Sequence, residues 1–79
     1  MSAFVYVLRE VSGPRTYVGW TVDLGARLAA HNTGAGARTT RGKQWTLIYA
    51  ERFETRSEAM SREVRLKRDR GFRAMLRAA

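Results

Sequence analysis

Cysteine is absent from the 79 residues, so neither disulfides nor thiolate metal sites contribute to the fold, and nothing points to an oxidising compartment. Proline occurs once, as Pro14, and histidine once, as His31. Acidic residues are scarce as well: seven Asp and Glu stand against fifteen Lys and Arg. With two aspartates and one histidine, no Ser-His-Asp arrangement worth naming can be drawn. No pair of carboxylates has an obvious two-metal spacing. Long apolar runs are also missing, since no stretch approaches the ~20 residues needed to span a bilayer. The opening "MSAFVYVLRE" lacks a basic n-region and is too short for a secretory signal. A cytoplasmic protein with no membrane association is expected. A chain this short is expected to be one domain, residues 1–79, stabilised by one small core to which a partner chain could add.

What the chain has in abundance is positive charge. The formal net charge is +8 and the isoelectric point about 11.3. Thirteen of the fifteen cationic residues are arginines, whose planar fork matches phosphate oxygens better than an ammonium does. They are spread along the chain rather than segregated in a tail. Neutralising phosphates releases counterions, so such an excess on so small a chain favours a nucleic acid or another polyanion over a merely basic surface.

"AFVYVLRE" and "TYVGWT" are β-branched and aromatic, and Gly13-Pro14 lies between them, which predicts an antiparallel hairpin. Gly19 inside the second strand predicts a bulge or a close approach by another backbone. In "TVDLGARLAAHN", Thr21 or Asp23 is the expected cap and Leu24 and Leu28 form an i, i+4 apolar pair. Gly25 weakens that helix, and "NTG" at 32–34 ends it. Residues 33–44 read as a Gly-rich cationic loop. "WTLIYAERF" alternates Trp45, Leu47, Tyr49, Glu51 and Phe53 on one face and predicts a third strand. Thr55-x-x-Glu58 is a capping-box pattern that opens a cationic helix with an apolar stripe of Ala59, Met60, Val64 and Leu66. Gly71 is its expected stop, and Phe72, Met75 and Leu76 predict a short final helix. The expected order is β-β-α-β-α-α.

Few residues carry chemistry. Glu63 falls on the apolar stripe of its helix, where a carboxylate is costly unless paired or bound to a cation. An i, i+4 salt bridge to Lys67 and a ligand role are both open. Arg27 and His31 stand four apart and share a face, so they could bind a phosphate and handle a proton; a hydrogen-bonded structural histidine is the alternative. The loop "GAGARTTRGK" has no Walker spacing; its glycines expose backbone N–H groups, and Arg38, Arg41 and Lys43 suit a nucleic-acid backbone, though a flexible basic loop would look the same. Trp20 and Trp45 could stack on bases, but Trp45 opens a strand with core alternation and fits packing better. One carboxylate, one histidine, arginines and tyrosines suit phosphodiester hydrolysis with a single divalent ion.

Taken together, these elements resemble the GIY-YIG nuclease family. Phe4-Val5-Tyr6 is similar to its first motif loosely and Tyr17-Val18-Gly19 to its second closely. "DLGARLAAHN" resembles the family helix that carries an arginine, here Arg27, and "SEAMSREVRLK" the helix that carries the metal-binding glutamate, here Glu63. His31 followed by Asn32, with the loop "GAGARTTRGK", resembles small stand-alone bacterial members. These in turn are similar to the nuclease domain of the eukaryotic structure-specific endonuclease that works with a scaffold partner. The first motif lacks its glycine and isoleucine, and no asparagine follows Asn32.

The resemblance implies an α/β (α+β) fold, a small three-stranded antiparallel sheet flanked by helices. It implies a DNA endonuclease of repair or recombination, acting on branched or linear DNA and leaving 5′-phosphate and 3′-hydroxyl ends. Glu63 would hold one Mg²⁺ or Mn²⁺, and Arg27 would neutralise charge on the phosphate. Tyr6 is the first choice for general base, its phenolate favoured by nearby arginine charge and the metal, with Tyr17 or His31 assisting through hydrogen bonds. Gly19 would permit close approach of the backbone to phosphate. The alternatives are a nucleic-acid-binding module that does not cut, and a nuclease subunit that needs a protein partner for activity.

Overall fold

The middle strand explains the longest apolar run of the chain. β1 (Ala3–Glu10) lies between β2 (Thr16–Thr21) and β3 (Trp45–Phe53) in an antiparallel sheet ordered β2-β1-β3. Its neighbours cover both edges and helices cover both faces, so Val5, Tyr6, Val7 and Leu8 are all buried whichever way they point. The computed structural model describes residues 2–78; Met1 and Ala79, the ends of the expected domain, lie outside that range. Within it, α1 (Leu24–Thr33), a 3₁₀ turn (Arg38–Thr40), α2 (Arg56–Arg68) and α3 (Arg70–Ala78) complete the β-β-α-β-α-α order of an α+β fold.

Two clusters sit on opposite faces of the sheet. Ala3, Val5, Val7 and Val18 pack with Ala59 and Leu66 of α2, joined by Phe72 and Leu76 of α3. Tyr6, Leu8 and Trp45 pack with Tyr17 and with Leu24 and Leu28 of α1. The strand alternation thus sorts β1 into an α2/α3 side (Val5, Val7) and an α1 side (Tyr6, Leu8). Burying a side chain such as Leu66 completely is worth about 1.5–3 kcal/mol.

Helix ends follow their caps. Asp23 caps α1, its carboxylate accepting from the Ala26 N–H at 3.1 Å, while Thr21 accepts from the Asp23 N–H instead. Gly34 closes α1 at φ 86°, in the left-handed region that favours glycine. Both halves of the Thr55/Glu58 capping box are present at α2, a motif of ~1 kcal/mol.

Four expectations require correction. Gly19 forms no bulge: it pairs regularly with Tyr6, and what approaches it is a side chain rather than another backbone. The irregularity is in β3, where Val7 pairs with Tyr49 but Leu8 pairs with Leu47, leaving Ile48 as an extra residue. That residue reverses the alternation, so Trp45 packs on the α1 side while Tyr49 and Phe53 pack on the other and Leu47 is exposed. The inward stripe of α2 is Ala59, Arg62, Glu63 and Leu66, spaced i, i+3, i+4 and i+7, with Met60 and Val64 exposed. Finally, α2 stops at Asp69, not Gly71: Asp69 leaves helical geometry and its carboxylate caps α3 by accepting from the Phe72 N–H at 3.0 Å.

Candidate active site

Tyr6 occupies the centre of the α1 side, and Gly19 makes room for it. A Cβ on Gly19 would sit 2.5 Å from the Tyr6 hydroxyl oxygen and 2.7 Å from Cζ, so the phenol lies back over the β2 backbone. Tyr17, on the same face of β2, stacks beside it with ring centroids 6.3 Å apart. His31 of α1 joins both rings, 5.9 Å from Tyr6 and 4.7 Å from Tyr17. It is fully buried.

Both nitrogens of His31 are hydrogen-bonded: Nε2 lies 2.8 Å from the Tyr6 hydroxyl and Nδ1 lies 2.8 Å from Thr40 Oγ1. The Thr40 hydroxyl also lies 2.8 Å from the Ala37 carbonyl, which can only accept, so the single hydroxyl proton is committed there. Thr40 must therefore accept from His31, which places the imidazole proton on Nδ1. Nε2 is left with a lone pair, and Tyr6 donates to it. The direction of the whole chain, Tyr6 to His31 to Thr40 to Ala37, follows from one carbonyl.

The wall behind His31 is braced. The Thr40 carbonyl accepts from the Trp45 indole N–H at 3.0 Å, and Asn32 pins Trp45 through its main chain, donating to its carbonyl at 3.1 Å and accepting from its N–H at 2.6 Å. Gly36 lies flat against the histidine, since a Cβ there would be 2.5 Å from Nδ1 and 2.9 Å from the His31 Cα. Trp45 is thus a packing residue, as expected of its position, and also a donor to the loop.

Burial pushes the Tyr6 phenol above its ordinary value; a hydrogen bond with the Arg27 guanidinium opposes this, while the neighbouring Tyr17 and Glu63 add to it. Arg27 thus favours the phenolate, as expected, but by itself it does not offset the desolvation of the buried ring. Burial, reinforced by Arg27, pushes His31 below its ordinary value, so the imidazole is neutral at pH 7. A neutral imidazole is what the hydrogen-bond directions demand.

Arg27, one turn before His31, is half-buried and lines a groove of about 260 Å³ with Trp20, Thr21, Val22 and Arg56. On α2, Arg62 is paired with Glu51 at 2.7 Å, so the inward cation of the stripe is compensated. Glu63 is less so: its side chain is 19% exposed, and Lys67 Nζ stands 3.7 Å away in the expected i, i+4 pair. Arg38 and Arg41 are exposed and Lys43 half-buried on the loop that closes over His31. Tyr6, Tyr17, Gly19 and His31 are thus in contact, and Arg27 and Glu63 are near enough to act on Tyr6 electrostatically.

Thr40, Gly36 and the Asn32–Trp45 brace are the positions that sequence reasoning missed. Their one signal is that a buried histidine needs a partner for its second nitrogen, and the segment directly after α1 is the nearest chain to provide it.

The β-β-α-β-α-α fold agrees with the family comparison: the model of the GIY-YIG catalytic domain matches residues 2–75. The chain belongs to the GIY-YIG family, a family of nucleases that act on DNA. More particularly, it is similar to proteins called UPF0213. One from Halobacterium salinarum is 48% identical over 64 residues, covering 80% of this chain and 82% of the relative. One from Streptococcus pneumoniae is 48% identical over 67 residues, covering 84% and 67%. The solution NMR structure of a UPF0213 protein from Bacillus halodurans matches with a TM-score of 0.56 and 33% identity over 96% of this chain and 82% of that one.

Proposed function

We propose that this chain is a divalent-metal-dependent DNA endonuclease that hydrolyses phosphodiester bonds, working in the cytoplasm in DNA repair or recombination. The observation that carries the reading is the hydrogen-bonded chain from Tyr6 through His31 to Thr40, with neutral His31 presenting its lone pair to a tyrosine hydroxyl. A structural histidine needs only to be satisfied. The lone pair that neutral His31 turns toward Tyr6 supports a further role, taking a proton from that hydroxyl.

Tyr6 receives a proton from the attacking water at Oη while its own passes to His31 Nε2, so no free phenolate has to form in a buried site. The water oxygen bonds to phosphorus and the bond to the 3′-oxygen breaks, giving a 5′-phosphate and a 3′-oxyanion that takes a proton from solvent water to become the 3′-hydroxyl. His31, held by Thr40, carries the proton briefly; burial and Arg27 both favour its release. Arg27 offsets the charge that gathers on the non-bridging oxygens. Tyr17 packs the His31 ring into place, and Arg38, Arg41 and Lys43 hold the flanking backbone.

Glu63 would hold one Mg²⁺ or Mn²⁺. Its half-buried carboxylate, only loosely engaged by Lys67, fits an ion that takes one or two protein carboxylates and fills its other positions with waters and phosphate oxygens. When bound, such an ion acts as a Lewis acid toward the phosphate and the leaving oxygen.

The test is cleavage of labelled linear, flapped, forked and four-way-junction DNA with Mg²⁺, Mn²⁺ or EDTA, beside Glu63→Gln. Cutting is expected only with metal, and Glu63→Gln should lose ~10²-fold or more while still binding DNA. Binding without cutting in every lane, unchanged in the variant, would contradict the enzyme reading and favour a binding module or a missing protein partner.

A further inference from the structure

A second group of arginines lies on the other side of the sheet. Arg70, Arg73 and Arg77 stand at i, i+3 and i+7 of α3 and, with Ala74 and Thr16, line a cavity of about 270 Å³. Thr16 precedes Tyr17 in β2 and so belongs to the opposite face, and Phe72 and Leu76 anchor α3 to the Val5/Val7/Val18 core there. The sheet therefore separates this cavity from Tyr6 and His31.

Three like charges around one cavity repel, yet no carboxylate compensates them: none of the three is in an ion pair among the described residues. Two are instead held by main-chain carbonyls. Arg73 donates to the Lys67 carbonyl at 2.8 Å and Arg77 to the Pro14 carbonyl. A carbonyl fixes the direction of a guanidinium without cancelling its charge. The Nε of Arg73 is in addition buried without an acceptor, a costly state that an incoming anion or its accompanying shift would relieve. Oriented, uncompensated guanidinium forks around a small cavity match the oxygens of a phosphate group.

We propose that the α3 cavity is a second phosphodiester site, gripping DNA backbone remote from the bond being cut. The proposal rests on the nuclease reading for the identity of its polyanion. A straight duplex on the Tyr6 side does not pass through the sheet, and the molecule measures 33 × 28 × 19 Å. Backbone in the cavity therefore belongs either to a second arm of a branched DNA or to the same duplex bent around the domain.

The experiment measures binding of a labelled four-way junction and a linear duplex in EDTA, where nothing is cut, at several NaCl concentrations. Wild type is compared with Arg70→Gln, Arg70→Gln/Arg77→Gln and, as a reference, Arg38→Gln/Arg41→Gln. The α3 double variant should bind the junction about tenfold more weakly, with the log–log salt slope reduced by about 2, near one unit for each phosphate no longer neutralised. Loss on the junction alone assigns the backbone to a second arm, and equal loss on both DNAs assigns it to a bent duplex; both outcomes uphold the site. Unchanged affinity and slope on both DNAs would overturn it, and a continuing effect of Arg38/Arg41 would then leave the nuclease reading standing. A wild-type protein that binds neither DNA overturns both. Arg70→Gln removes no side-chain hydrogen bond among the described residues, so a slope change near 1 in that variant is expected even where the Arg77 change disturbs the β1–β2 turn.

Discussion

Tyr6 Oη and His31 Nε2 are 2.8 Å apart, and the tyrosine supplies the hydrogen between them. That direction is imposed from the far side of the ring, where Thr40 has already given its own proton to Ala37. It resolves a difficulty in assigning Tyr6 as a base. A buried phenol pushed above its ordinary range holds its proton at neutral pH, but a phenol bonded to a neutral imidazole can pass one proton on as it accepts another.

The first consequence is a pH dependence. Cleavage needs neutral His31, whose value is lowered from 6.5, so the rate should hold through pH 7 and fall on the acid side of 6.5. Stability should follow the same sign. Above pH 6.5 neither state carries the proton; as the pH falls the unfolded chain binds it first, and stability declines down to the lowered folded value. Tyr6, raised from 10.0, adds the alkaline counterpart, since above pH 10 the unfolded chain ionises first. Guanidinium unfolding between about pH 5 and 11 and a pH–rate profile check both limbs. A rate that rises as the pH drops below 6.5 would be incompatible with a neutral imidazole.

Thr40→Val keeps the volume and removes the acceptor for His31 Nδ1–H. A buried donor left unpaired costs about 1–3 kcal/mol, and cutting should fall about tenfold or more. Thr40→Ser should restore both. Nitrogen-15 spectra of the imidazole separate positioning from mere packing: wild type should show the proton on Nδ1, and the valine variant a mixture of tautomers. A wild-type ring protonated on Nε2 would sink this account of Thr40.

At Gly19 the prediction is steric. The φ angle there is not positive, so Gly19→Ala adds no backbone strain, but its methyl meets the Tyr6 phenol. Displacing that ring should cost about 1–3 kcal/mol in stability and most of the activity, with the salt dependence of DNA binding unchanged. Thermal melting and a binding titration on the same sample distinguish this from weakened phosphate binding.

Element types and their order could be read from periodicity and caps because those signals are local: the Asp23 and Thr55 caps, the Gly34 stop and the continuous apolar run of β1 each need only a few neighbouring residues. The side a residue faces was less legible. Ile48 is an ordinary strand residue by type, and only pairing with β1 reveals it as the extra one that turns Trp45 to the other side of the sheet. On α2 the apolar residues Met60 and Val64 drew attention to the wrong face, while the inward positions hold Arg62, whose charge is compensated by a residue eleven positions earlier. Tyr6, Tyr17 and His31 could be singled out by type and spacing, but Thr40 could not, since its role is a contact between a loop and the helix before it.

The most direct test of the account removes one oxygen. Tyr6→Phe keeps the ring over Gly19 and deletes only the hydroxyl bonded to His31. In single-turnover cleavage of a labelled junction with Mg²⁺, the variant should bind DNA as tightly as wild type and cut it ~10²–10⁴-fold more slowly, the range of a positioned acid–base group. Cutting by Tyr6→Phe at the wild-type rate would contradict the account, because the proton from water would then have to leave by a route that does not involve Tyr6 or His31.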